Sequence, residues 1–162
     1  GTVGTVGSAA AGTSGVSAAS TVTATPGTTY RIDRILLIMT TVVWKDEPED
    51  HDYPAAEAYL TLITDPKHAG DLASDLRTAP LVHQKAKDIL RAAGLVLLPI
   101  DNAHVKADLA KIKDGKHLSP ILLIRGKIAT GTPLQIADGY HRVCASYHLD
   151  ENTDIPCRIT DT

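Results

Sequence analysis

A mixed α/β domain, a small sheet flanked by helices, is the fold class this sequence predicts, and three observations carry the expectation. Segments with helical spacing alternate with aliphatic runs of four or five residues that end near Pro or Gly. Phe is absent and aromatic residues make up only 4% of the chain, so a core must come from Leu, Ile, Val and Ala. At 162 residues the chain has room for one domain and a tail, so a single domain is expected and not a large multidomain enzyme.

Residues Gly1 to Tyr30 are, apart from Pro26 and Tyr30, Gly, Thr, Ala, Ser and Val with no charged residue, which cannot make an amphipathic pattern. Neither the basic start nor the continuous apolar stretch of about 7 to 15 residues of a secretory signal is present there. The sole methionine, Met39, precedes ordinary patterned sequence. We therefore expect residues 1–38 to be an appended leader or an upstream extension, the alternative being an added strand over Arg31 to Met39. Residues 39–94 are expected to form a strand and a helical layer, and residues 95–162 the sheet-bearing domain. The longest apolar run, Ile35 to Met39, falls far short of the roughly 18 residues of a membrane-spanning helix, so a soluble protein is expected. With only Cys144 and Cys157, buried thiols in a cytoplasmic setting are expected over a disulfide scaffold.

Helical signals begin at Pro54 and run from Ala55 to Ile63, where Asp65-Pro66 stops them, and a second helix is expected over Lys67 to Arg77. Pro80 suits a first helical turn, and Leu81, Val82, Ala86, Ile89, Leu90 and Ala93 share a face before Gly94, which predicts one helix over that whole stretch. Leu95-Val96-Leu97-Leu98, ended by Pro99, reads as a buried strand, followed by a helix from Ala103 to Lys113. Ile121 to Ile124 and Leu134 to Ala137 read as two strands joined by a Gly- and Thr-rich turn. Tyr140 to Leu149 reads as a helix, and Ile155 to Ile159 as a last strand, placed on a sheet edge because Pro156 lacks a donor.

The densest set of chemically able residues is Asp138-Gly139-Tyr140-His141-Arg142, where a strand gives way to a helix. A helix start offers unpaired N–H groups and a positive dipole end to an anion such as phosphate. Gly139 permits close approach, Arg142 adds a cationic fork, and His141 can donate or exchange a proton near neutral pH. Asp138 can hold a magnesium ion or accept a proton from an attacking hydroxyl. The plain alternative is that Asp138 caps the helix and Arg142 makes a surface ion pair. A second group, Asp101, Asn102 and His104, lies before the Ala103 helix, where Asp101 or Asn102 would serve as its cap. Two strand-to-helix junctions at one end of a sheet would bring these groups together. The acidic run Asp46 to Asp50 reads as a solvated loop.

In order and motif, Leu97-Leu98-Pro99-Ile100-Asp101, Leu118 to Ile124, Ile136 to Arg142 and Ile155-Pro156 resemble the ParB/sulfiredoxin superfamily, over roughly Leu95 to Thr160. That resemblance implies a ParB/sulfiredoxin-like sheet, with the helices between Pro54 and Ala93 as an added layer. It also implies nucleotide or phosphate binding at Gly139 to Arg142. Sulfiredoxins carry a catalytic cysteine where this chain has Tyr140, and partition proteins carry the first arginine of a Gly-x-Arg-Arg-type motif where it has His141. Free-serine kinases carry Asp-Gly-His-His-Arg, which Asp138, Gly139, His141 and Arg142 match and Tyr140 does not.

What the last resemblance implies is Mg2+-dependent phosphoryl transfer or nucleotide hydrolysis on a small substrate, with ATP, ADP or CTP as the nucleotide. Asp101, Asp138 and His141 would then be the catalytic residues and Asp138 the metal ligand. Gly139, Tyr140, Arg142, Asn102 and His104 would bind phosphate or nucleotide. The alternative is a ParB-like DNA-interacting or nuclease module. A formal charge of −3, from 16 Lys and Arg against 19 Asp and Glu, disfavours a large nucleic-acid surface. Lys106, Lys111, Lys113 and Lys116 could still form a local basic patch.

Overall fold

The computed structural model describes residues 40–162, so the expectations for residues 1–38 and for a strand over Arg31 to Met39 lie outside the described residues. Two helices come first, α1 (Asp52–Leu60) and α2 (Pro66–Thr78). The second starts where its signals place it: the Asp65 carboxylate accepts from the His68 N–H at 3.0 Å, with Pro66 in the first turn. The first ends at Leu60, earlier than expected, and leaves Leu62 and Ile63 exposed in the following turn.

The single helix expected from Pro80 to Ala93 is two elements. Leu81–Lys85 is a strand, β1, and only Ala86–Ala93 is helical, α3, closed by Gly94 in the left-handed region at φ 64°. Apolar residues at helical spacing did not decide the matter. In the fold, Leu81–Lys85 pairs antiparallel with the last strand from Leu81↔Arg158 to Lys85↔Asp154, supplying that strand with a second hydrogen-bonding neighbour.

Leu95 to Leu98, expected as a buried strand, is irregular loop, and Leu95, Val96 and Leu97 are exposed. The chain resumes regular structure at α4 (Ala103–Lys113), β2 (Ile121–Ile124), β3 (Gln135–Asp138), α5 (Tyr140–Leu149) and β4 (Asp154–Thr160). These five elements lie within a residue or two of their expected positions.

The sheet order is β1-β4-β2-β3, with β2 parallel to β4 and the other two pairings antiparallel, so the mixed α/β class holds. β2 and β3 form the close pair their turn suggested. β4, expected on an edge, is interior. Pro156 sits opposite His83 of β1 but one residue before the β2 ladder, which opens at Ile121↔Cys157. The boundary expected at Leu95 does not divide the sheet, because β1 lies before it and β4 after it.

Alternation along β2 explains the layering. Ile121 and Leu123 pack with α3, α4 and α5 on one face, and Leu122 and Ile124 pack with α1 and α2 on the other. A strand covered on both faces must be apolar at every position. The two helices before β1 thus form a layer on one face of the sheet, whereas α3, expected in that same layer, packs on the other face with α4 and α5. Cys144 and Cys157 are free and buried, and burial pushes the Cys157 thiol up to about 12, so both behave as small core hydrophobes. Among the described residues no helix is long and apolar enough to cross a membrane.

Candidate functional site

β3 ends at Asp138, Gly139 makes the turn and α5 begins at Tyr140. Gly139 sits at φ 103°, and a Cβ there would lie 2.4 Å from Ile121 Cγ2, so both backbone and space demand glycine. The first turn of α5 has no side-chain cap. Asp138 does not cap it, because its carboxylate turns to the Arg142 Nη2 one helical turn on.

Arg142 is the centre of the cluster. Its Nη1 donates to the carbonyl oxygens of Ser119, at 2.8 Å, and Pro120, at 3.3 Å, while Nη2 also reaches Asp52 Oδ1 at 3.4 Å. The Arg142 side chain is 13% exposed. It is neither the surface ion pair of the plain alternative nor a free phosphate fork; it joins β3, the start of β2 and α1.

Asp52, the first residue of α1, is 3% exposed. The Ser119 hydroxyl donates to its Oδ2, and the Glu49 N–H donates to both Asp52 Oδ2, at 2.9 Å, and Ser119 Oγ, at 3.0 Å. Pairing of residues 43–45 with Leu118 brings this segment to the sheet. The acidic run is the loop expected, with Asp46, Glu47 and Asp50 exposed, and ion pairs from Arg158 to Glu47, Lys45 to Glu49 and Arg77 to Asp50 tie it down.

Two carboxylates on one guanidinium titrate apart. Burial opposes ionisation of Asp52, but the Ser119 hydroxyl, Arg142 and the Glu49 N–H outweigh it and hold the carboxyl below its ordinary value. Burial pushes Asp138 up to about 6 against the pull of Arg142, and the charge on Asp52 adds to the rise. Asp52 therefore keeps the negative charge, and Asp138 is the member that exchanges a proton near neutrality.

These groups open into a cleft of about 660 Å3 whose wall includes Asp52, Ser119, Asp138, Gly139, His141 and Arg142. Lys45, Lys111 and Lys116 also line it, each paired with a carboxylate: Lys111 with Asp108 at 2.9 Å, Lys116 with Asp114 at 3.7 Å, and Lys45 with Glu49. Burial lowers the His141 pKa, and His104 and Arg142 lower it further against the opposing Asp108, so its imidazole is neutral at pH 7.

The other expected residues fall outside the cleft wall. Tyr140 turns its hydroxyl to the Val96 carbonyl. Asn102 is the cap of α4, accepting from the N–H groups of His104 and Val105. His104 touches the His141 ring at a centroid distance of 4.6 Å. Asp101, expected as a catalytic carboxylate, is exposed and does not line the cleft. The strand that would have delivered it to the sheet end is loop, and Asp52 from α1 occupies the place facing Asp138. Asp52 and Ser119 were missed because their role depends on contacts across 67 and 90 residues, and the sequence signal nearest to them is the helix start at Asp52-Tyr53-Pro54.

Asp138, expected as a metal ligand, is held by Arg142. Asp138 and Asp52 both hold Arg142, and among the described residues no group of three or more His, Cys, Asp or Glu side chains is placed to hold a metal ion. No protein-family model, curated protein or solved structure matches the chain.

Proposed function

We propose that the cleft binds the phosphates of a nucleotide and supports phosphoryl transfer or nucleotide hydrolysis on a small substrate. In this reading the chain is a member of the ParB/sulfiredoxin superfamily nearest to the free-serine kinase branch that Asp138, Gly139, His141 and Arg142 resemble. The observation that carries it is the placement of two unlike carboxylates, Asp52 and Asp138, beside the uncapped start of α5 in one cleft. The first-turn N–H groups and His141 would take phosphate oxygens. Asp138, with a pKa of about 6, would accept the proton of an attacking hydroxyl above that pH, while Arg142 holds it in place. Mg2+ would enter on the nucleotide's own phosphates and water.

Free buried cysteines agree with a cytoplasmic setting. The DNA-interacting alternative has less support, since a formal charge of −3 leaves no large basic surface for a polyanion.

A thermal-shift series with ATP, ADP, CTP and GTP, with and without Mg2+, tests the reading, because a ligand of the folded state raises its melting temperature. At least one nucleotide should raise it. Asp138→Asn should keep that shift and lower turnover by about 100-fold or more. Asp101→Asn should change neither. If no nucleotide shifts the transition, the reading fails.

A further inference from the structure

A row of three rings lies across the start of α5. His141 is in the middle, its centroid 4.6 Å from that of His104 on α4 and 5.8 Å from that of Tyr140, with the planes tilted by 38° and 36°. His141 belongs to the cleft wall, and His104 at the far end is exposed. The loop of residues 95–100 is tied against α5 by the Tyr140 hydroxyl, which donates to the Val96 carbonyl, and by His148 Nε2, 2.7 Å from the Leu98 carbonyl. That loop shows Leu95, Val96, Leu97 and Ile100 to solvent, Val96 at 73% exposure. The row thus runs from the wall of the polar cleft to an open imidazole on α4, and an exposed apolar surface is held to the same helix start.

We infer that this row seats the planar base of the nucleotide, stacked on the exposed side of His104, while the phosphates lie at the start of α5. The inference rests on the nucleotide reading above and deepens it by naming the residue that takes the base, His104, which lies outside the cleft wall. Stacking on aromatic rings tolerates any base, since every base has a π face. A neutral His141 keeps the row free of repulsion between adjacent imidazolium ions at pH 7. Little discrimination among ATP, CTP and GTP follows.

Calorimetric titration of the full chain with ATP, CTP and inorganic tripolyphosphate separates the two proposals. ATP and CTP should each bind about ten-fold or more tightly than tripolyphosphate. His104→Ala should bring both nucleotides down to the tripolyphosphate level without changing tripolyphosphate itself, and His104→Phe should restore the difference. Equal affinities in the unmodified chain, or an equal loss for all three ligands in His104→Ala, would overturn the stacking seat and leave the phosphate site standing. If none of the three binds, both proposals fall.

Discussion

Leu95-Val96-Leu97-Leu98 and Ile121-Leu122-Leu123-Ile124 are two aliphatic runs of equal length, each followed by a polar stretch, and they end in opposite places. Every residue of the second is buried, between the helices of both layers, whereas Val96 in the first is 73% exposed. An apolar run becomes a strand only where neighbours accept its N–H and C=O groups and cover its faces. β2 has β4 on one side and β3 on the other. The Leu95 run follows Gly94 and is tied to α5 by the Tyr140 and His148 contacts to its carbonyls and by the packing of Leu98 against the core, while its first three residues stay exposed. Composition alone does not separate a core strand from a surface loop.

Truncation should separate the two runs most sharply. Leu123→Ala removes a fully buried side chain and should cost about 2–5 kcal/mol in urea unfolding, while Val96→Ala should stay within about 0.5 kcal/mol. A comparable loss at Val96 would mean that the loop is packed as tightly as the strand.

The glycines that follow the two helix-boundary signals sharpen the same contrast. Gly94 and Gly139 both have positive φ, yet a Cβ at Gly94 meets nothing within 4 Å while one at Gly139 strikes Ile121. Gly94→Ala should therefore cost only the backbone term, about 1–2 kcal/mol, and Gly139→Ala about 1–3 kcal/mol more for the clash. Paired denaturation curves would show it; equal losses would place the strain in the backbone alone.

The smallest effect is the pH dependence of the cluster on the β2 side. The folded Asp138 carboxyl, at about 6 against an ordinary 3.8, binds its proton more tightly than the unfolded one. Its stabilising contribution is complete below the ordinary value and is lost as pH rises through about 6. Melting temperature of the unmodified chain should consequently fall relative to that of Asp138→Asn between pH 5 and pH 7. Asp52, whose carboxyl is held low, acts the other way and only below its ordinary value, outside that window. Parallel melting curves for the two proteins would show that Asp138 ionises freely.

Local chemistry was enough to place α2, α4, β2, β3, α5 and β4, because each carries its own start, stop or period: Asp65 and Pro66, Asn102, a run of four aliphatic residues, and Gly139 before Tyr140. It was also enough to pick out Asp138, His141 and Arg142, since a strand-to-helix turn through glycine is written in consecutive residues. Whether Leu81–Lys85 is strand or helix was settled by β4, whose second side needed a partner. Likewise, Asp52 rather than Asp101 faces Asp138 because the pairing of residues 43–45 with Leu118 and the Ser119 and Arg142 contacts carry α1 to the cleft. Hydrogen bonds between residues close in sequence are decided by the residues themselves. Those that close a loop of 67 or 90 residues exist only once the sheet has formed, and they are what turned a scattered set of polar side chains into one cleft.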